Sequence, residues 1–146
     1  MSKVLLISVC AWAVAQLLKV LVNLIREKQL DLRYFVVSGG MPSAHSATVC
    51  ALATAVAITE GFDSVAFAVS AILAMVVLYD SAGVRRAVSQ QSVILNRLMR
   101  ELRTRRPRDE LERDLRELIG HTPFQVIVGA ALGFFIAWMW LVFDVL

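Results

Sequence analysis

The sequence predicts an all-α membrane protein of four transmembrane helices, with an amphipathic helical hairpin added on the cytoplasmic side. Three observations predict it. Hydrophobic residues make up 58% of the 146 residues, against about 45–50% in soluble chains, and the mean hydropathy is +0.68. The apolar residues are gathered into blocks that lack the polar stripe a soluble helix shows. The charged residues are confined almost entirely to the connections, and the basic ones favour alternate connections. At this length one domain, residues 1–146, is expected.

The first block, Val4–Ile25, has Lys19 as its one charge and meets the length of about 20 residues that a bilayer core requires. Ala13-Val14-Ala15 has the small-residue pattern of a signal cleavage site, but Lys19 beyond it fits a retained span better. The second and third blocks, Ala44–Ile58 and Ser64–Tyr79, are charge-free, rich in alanine and shorter. They span if their capping ends are counted, or if the bilayer thins locally. The fourth, Pro123–Phe143, is charge-free and long enough. The expected spans are therefore 4–25, 44–59, 64–80 and 123–143. Cys10 and Cys50 lie in apolar blocks and are expected to act as small hydrophobes, with no disulfide and no metal.

The basic residues set the expected topology. Arg26, Lys28 and Arg33 follow the first block. The third connection carries Arg85, Arg86, Arg97, Arg100, Arg103, Arg105, Arg106, Arg108, Arg113 and Arg116. The second has only Glu60 and Asp63. Connections one and three are thus expected in the cytoplasm and both termini outside, in a bacterial plasma membrane. Lys3 is a single charge against this. The net charge of +3 then reports topology, and no nucleic-acid partner is expected.

Within residues 88–119, Glu101/Arg105 and Glu112/Arg116 stand four apart. Leu95, Leu98, Met99 and Leu102 recur before Pro107, and Leu111, Leu115, Leu118 and Ile119 after it. This predicts two amphipathic helices that pack on each other, on a partner or on the membrane surface. Ala47, Ala51, Ala53, Ala55 and Ala57, with Gly129-x-x-x-Gly133, allow close helix packing, either within the chain or in a homodimer.

Every unusual polar stretch falls on the expected cytoplasmic face. SGGMPSAHSA (Ser38–Ala47) precedes and opens the second span, DSAGVRR (Asp80–Arg86) closes the third, and GHTP (Gly120–Pro123) opens the fourth. Lys19 and Arg26, seven residues apart, share one face at the end of the first. Pro42 and Pro123 suit first helical turns, with Ser or Thr to cap. Two helix N-termini then offer N–H groups and positive dipole ends to one region. Gly39 and Gly40 permit a tight turn, and Arg85 and Arg86 add fixed charge. Together these predict an anion site whose donors suit a phosphate. His45 and His121, at the two helix starts, suggest phosphoryl transfer, one attacking phosphorus and the other protonating the leaving oxygen. Taken singly, each feature is also accounted for by capping, snorkelling or topology. Their joint placement carries the expectation.

Pro42-Ser43-Ala44-His45 resembles the Pro-Ser-Gly-His motif of the type 2 phosphatidic acid phosphatase and vanadium haloperoxidase superfamily. Lys19 and Arg26 match the spacing of its first motif, and the stretch from His121 to Gln125 resembles its third, a histidine followed four residues later by an acid. The ordered set GGMPSAHSA, YDSAGVRRAVSQQ, LN and GHTP is similar to a small divergent branch of that superfamily. The resemblance runs from Lys19 to Gly133.

It implies that His121 is a nucleophile forming a phosphohistidine and that His45 is the general acid. It also implies that Ser43, Lys19 and Arg26 hold the phosphate oxygens, with no metal or other cofactor. Three positions depart from the pattern. Glu27 stands where a proline usually follows the arginine. Asp114 and Leu115 stand where Ser-Arg is usual, so Arg85 or Arg86 is expected to supply that charge. Gln125 stands where the acid is usual, and Asp80 is expected to substitute for it.

The resemblance thus implies a metal-independent membrane phosphatase acting on a lipid or isoprenoid phosphate. Its partner would be a membrane lipid with a phosphate headgroup. The alternative is a membrane protein that binds such a headgroup without turnover, or that scaffolds a partner through Leu95 to Ile119. A vanadate-dependent haloperoxidase does not fit, because such enzymes resemble much larger soluble chains.

Overall fold

The computed structural model describes residues 2–27, 40–82, 91, 94–95 and 122–143. Four long helices account for most of them: α1 (Lys3–Glu27), α2 (Ala44–Glu60), α3 (Val65–Ala82) and α4 (Pro123–Val142). Each coincides with an expected span to within two residues at either end. Helices α1, α3 and α4 are long and apolar enough to cross a membrane, and α2 is a shorter apolar helix of 17 residues. No strand occurs among the described residues. The expected amphipathic hairpin, 88–119, lies outside them except for Gln91, Ile94 and Leu95, which are helical.

Helix α2 is the centre of the bundle. It packs on α1, α3 and α4, whereas α1 and α3 do not pack on each other. That position accounts for its alanines. Ala44, Ser46, Ala47, Ala51, Ala55 and Ala57 are buried, and small side chains let three neighbouring backbones come close. Helix α3 has the opposite character. It buries Ser70, Ala74 and Ser81 and exposes Val65, Val69, Ile72, Met75, Val76 and Tyr79. A helix with so broad an apolar exterior requires lipid rather than water around it. Alanine content therefore means different things in the two short spans: in α2 it marks enclosure by protein.

Packing fixes the directions of the helices. Ile7 and Ala11 of α1 cluster with Ala51 and Ala55 of α2 and Ala137 of α4. Ala15 clusters with Ala44 and Ala47, with Leu132 against them. Residue numbers fall along α1 as they rise along α2, and rise together along α2 and α4. So α1 is antiparallel to α2, and α4 is parallel to it. The turn between α2 and α3 is short. Gly61 adopts φ 85°, and Ser64 Oγ donates to the Gly61 carbonyl at 2.8 Å while accepting the Phe67 N–H at 3.1 Å. The ends of α1 and α3 thus share one end of the bundle with the starts of α2 and α4.

The closest approach is between α2 and α4. A Cβ on Gly129 would meet the Ser43 carbonyl oxygen and come within 3.1 Å of Ser43 N and Cβ. A Cβ on Gly133 would meet the Ala47 carbonyl oxygen and come within 2.8 Å of the Ala47 carbonyl carbon. The two glycines and the two residues they face are each four apart, so one ridge of α4 lies along one ridge of α2. The Gly-x-x-x-Gly spacing is used within the chain. Gly133→Val is expected to lower the melting temperature of the detergent-purified protein, through an overpacking cost of about 1–3 kcal/mol. Ala131→Val, at an exposed position on the same helix, is expected to leave it unchanged.

Candidate functional site

The site is built from the start of α2. Ser43 has extended backbone (φ −72°, ψ 113°) and caps the helix. Its Oγ accepts the Ser46 N–H at 3.4 Å and the Ser46 Oγ–H at 3.0 Å. Its carbonyl accepts the Ala47 N–H at 3.1 Å. Its own N–H crosses to α4 and donates to the Gln125 carbonyl at 3.2 Å. The absent side chain of Gly129, one turn further along α4, is what lets the Ser43 backbone come so near. Both Ser43 and Ser46 have 0% exposure.

Lys19 joins this junction from α1. It lies one turn beyond Ala15, which packs on Ala44, and only 3% of its surface is exposed. Gly40, at φ 88°, rests on the aliphatic stem of Lys19, and a Cβ there would stand 3.2 Å from Lys19 Cγ. The left-handed backbone and the close approach both call for glycine. The turn continues through a cis Met41–Pro42 bond to Ser43.

Helix α4 starts with a second cap. Thr122 Oγ1 accepts the Gln125 N–H at 3.4 Å, and Gln125 Oε1 accepts the Thr122 N–H at 3.1 Å. This reciprocal pair satisfies two first-turn donors, and Pro123 follows where no N–H is needed. Two parallel helices thus direct their positive dipole ends toward the same end of the bundle.

The structure brings Lys19, Gly40, Ser43, Ser46 and the first turn of α4 together. Lys19 and Ser43 are enclosed. His45, the second residue of α2, and Asp80, in the last turn of α3, are exposed at the same end. Arg26 lies in the last turn of α1. His121, Arg85 and Arg86 lie outside the described residues. Among the described residues no cluster of His, Cys, Asp or Glu could hold a metal ion.

Ser46 carries no expectation from the sequence, and Gln125 carries a different one from the part it plays. Ser46 belongs to a Ser-x-x-Ser pair with Ser43, and Gln125 to a Thr-x-x-Gln pair with Thr122. Both spacings are capping signals. Gln125 stands in the place of a histidine-orienting acid, and its side-chain oxygen closes the cap of its own helix.

A bundle of apolar helices with buried Lys19, Ser43 and Ser46 gathered at one end is the architecture of an integral membrane protein with a polar cluster near one membrane face. The chain belongs to the divergent PAP2 family, whose model matches residues 1–136, and so is a phosphatase-related membrane protein. A relative described as "Uncharacterized membrane protein YuiD", from Bacillus subtilis (strain 168), is 38% identical over 138 residues, covering 88% of this chain and 87% of that one. No solved structure matches.

The cap of α4 makes a direct prediction. Thr122→Val is expected to lower the melting temperature in detergent, at a cost of about 1 kcal/mol. Gln125→Glu is expected to melt no lower than the unmodified protein. Its carboxylate accepts the same N–H and is favoured at a helix N-terminus.

Proposed function

We propose that this protein is a metal-independent membrane phosphatase acting on a lipid or isoprenoid phosphate. The observation that carries the reading is the packing of Lys19, the Ser43 cap and the first turn of α4 at the end where two helix N-termini meet. Lys19, Arg26 and Ser43, with Arg85 or Arg86, would hold the phosphate oxygens. His121, which directly precedes the Thr122 cap, would attack phosphorus. The bond from phosphorus to the alcohol oxygen breaks as the bond to the His121 nitrogen forms, and His45 gives its proton to the departing alkoxide. Water then attacks the phosphohistidine and gives a proton back to His45 as the P–N bond to His121 breaks, releasing inorganic phosphate and the free His121 imidazole.

Asp80 is the carboxylate proposed to stabilise the imidazolium in place of Gln125. The apolar tail of the substrate stays in the bilayer while its headgroup reaches the helix ends. The basic connections support a cytoplasmic position for this face. Gly40 lies against the aliphatic stem of Lys19.

A second reading is a protein that binds a phosphate headgroup without turning it over. It is favoured by the uncharged Gln125, whose side-chain oxygen accepts from Thr122. Phosphate release by the detergent-purified protein separates the two readings. The substrates are phosphatidic acid, phosphatidylglycerophosphate and a polyprenyl pyrophosphate, each with chelator present. The phosphatase reading expects release that His121→Ala and His45→Ala each abolish. Absence of release from all three, with vanadate still raising the melting temperature, would establish the binding reading instead.

A further inference from the structure

Helices α1 and α3 both lie against α2 but not against each other, so they leave a cleft with α2 as its floor. The face of α2 turned to α1 and α4 is the stripe Ala44, Ala47, Ala51 and Ala55. On the other side of the helix Ser46, Val49, Val56 and Ala57 are buried, and α3 is the neighbour that remains to cover them. Between these faces runs a strip of His45, Thr48 and Leu52, at the three- and four-residue spacing of one helical face. Ser43 and Ala47, which meet Gly129 and Gly133 of α4, lie on the far side of α2 from Leu52 at about 100° per residue. The strip therefore faces the gap between α1 and α3. His45 is exposed, the only such residue of α2 before Ile58, and Thr48 and Leu52 are half-buried.

The cleft has a polar head and an apolar floor. Thr48 donates its hydroxyl to the Ala44 carbonyl at 2.7 Å, and Thr59, further along the strip, donates to the Ala55 carbonyl at 2.9 Å. Both hydroxyls are engaged within their own helix. From His45 to Thr59 the strip is about 21 Å long. At its head, buried Lys19 lies one turn beyond Ala15, which packs on Ala44.

The surroundings of that head determine what reaches it. Helix α1 continues past Lys19 with Leu21, Leu24 and Ile25 exposed, and Ile25 stands about 9 Å beyond Lys19 along the axis. Phe124, in the first turn of α4, is exposed as well. Exposed apolar side chains at and beyond the polar cluster belong in the acyl layer. Lys19 and the Ser43 cap are thus recessed below the headgroups, and the cleft beside them opens sideways into lipid. A cation at that depth is matched by an anion carried on an apolar chain.

We propose that the cleft between α1 and α3 seats one acyl or isoprenoid chain of a lipid phosphate that enters sideways from the bilayer. The chain lies along the Thr48–Leu52 floor and the headgroup lies at the Lys19 end. The proposal rests on the phosphate-site reading above and narrows it to phosphate esters that carry a long chain. Leu52 sets the room available to that chain.

The test uses the full chain in phosphatidylcholine nanodiscs with a trace of phosphatidic acid bearing a diazirine in its acyl chain, followed by peptide mapping. Light is expected to label α2 around Thr48 and Leu52, and excess unlabelled phosphatidic acid is expected to remove that label. Ile72 and Val76, on the exposed side of α3, meet any lipid, and their label is expected to persist. Labelling of α3 without α2, or an α2 label that excess phosphatidic acid does not displace, would overturn the proposal.

Leu52→Trp narrows the cleft. In detergent it is expected to abolish the rise in melting temperature given by phosphatidic acid and to leave the rise given by vanadate unchanged. If that variant does not fold, Leu52→Phe is expected to show the same split to a smaller degree. A folded variant that phosphatidic acid protects as fully as the unmodified chain would overturn the cleft and leave the phosphate site standing. An unmodified chain that neither vanadate nor phosphatidic acid protects would overturn the phosphate-site reading itself, a failure visible without any variant.

Discussion

The parallel crossing of α2 and α4 is the constraint on which the rest of the structure depends. Parallel helices bring like-signed dipole ends together, and here capping hydrogen bonds answer some of the first-turn donors at that end. The α2 cap donates its N–H into the first turn of α4, and α4 closes its own first turn through Thr122 and Gln125. None of this is accessible if Gly129 or Gly133 carries a side chain, because the α2 backbone occupies the space. Two missing side chains thus bring two helix N-termini side by side at one end of the bundle.

The central position of α2 ties fold to function. Its sides are covered by α1, α3 and α4, so the Ser43–Ser46 pair at its start is held by protein on every side. Lys19 reaches the same junction along α1, with Gly40 against its aliphatic stem. Helix α3, which exposes most of its apolar surface, contributes a lipid-facing wall. The division is between a small-residue interior that encloses polar groups and an apolar exterior suited to lipid.

Much of the fold was legible in the sequence. Blocks of apolar residues mark spans because a bilayer demands unbroken runs, and the four observed helices follow them closely. The grouping of Lys19, Ser43 and the start of α4 at one end was legible too, because alternating spans put odd-numbered ends and even-numbered starts together. The centrality of α2 was not legible. Ala47, Ala51 and Ala55 suit a thin span and an enclosed helix equally, and only tertiary packing distinguishes them. Gly129 and Gly133 signalled a close contact without naming its partner. The placing of Gly40 against Lys19 depends on a turn whose path no local pattern specifies. The capping role of Gln125 is written in its spacing from Thr122, the Thr-x-x-Gln pattern of a capping box.

The measurement that tests this account most directly is vanadate binding by Gly129→Ala, compared with the unmodified chain at equal helicity. The added methyl pushes the Ser43 backbone away from α4. If the crossing builds the oxyanion site, the variant remains helical but vanadate no longer raises its melting temperature. A helical Gly129→Ala protein that vanadate protects as fully as the unmodified chain would contradict the account, because the site would then not depend on the approach of α2 to α4.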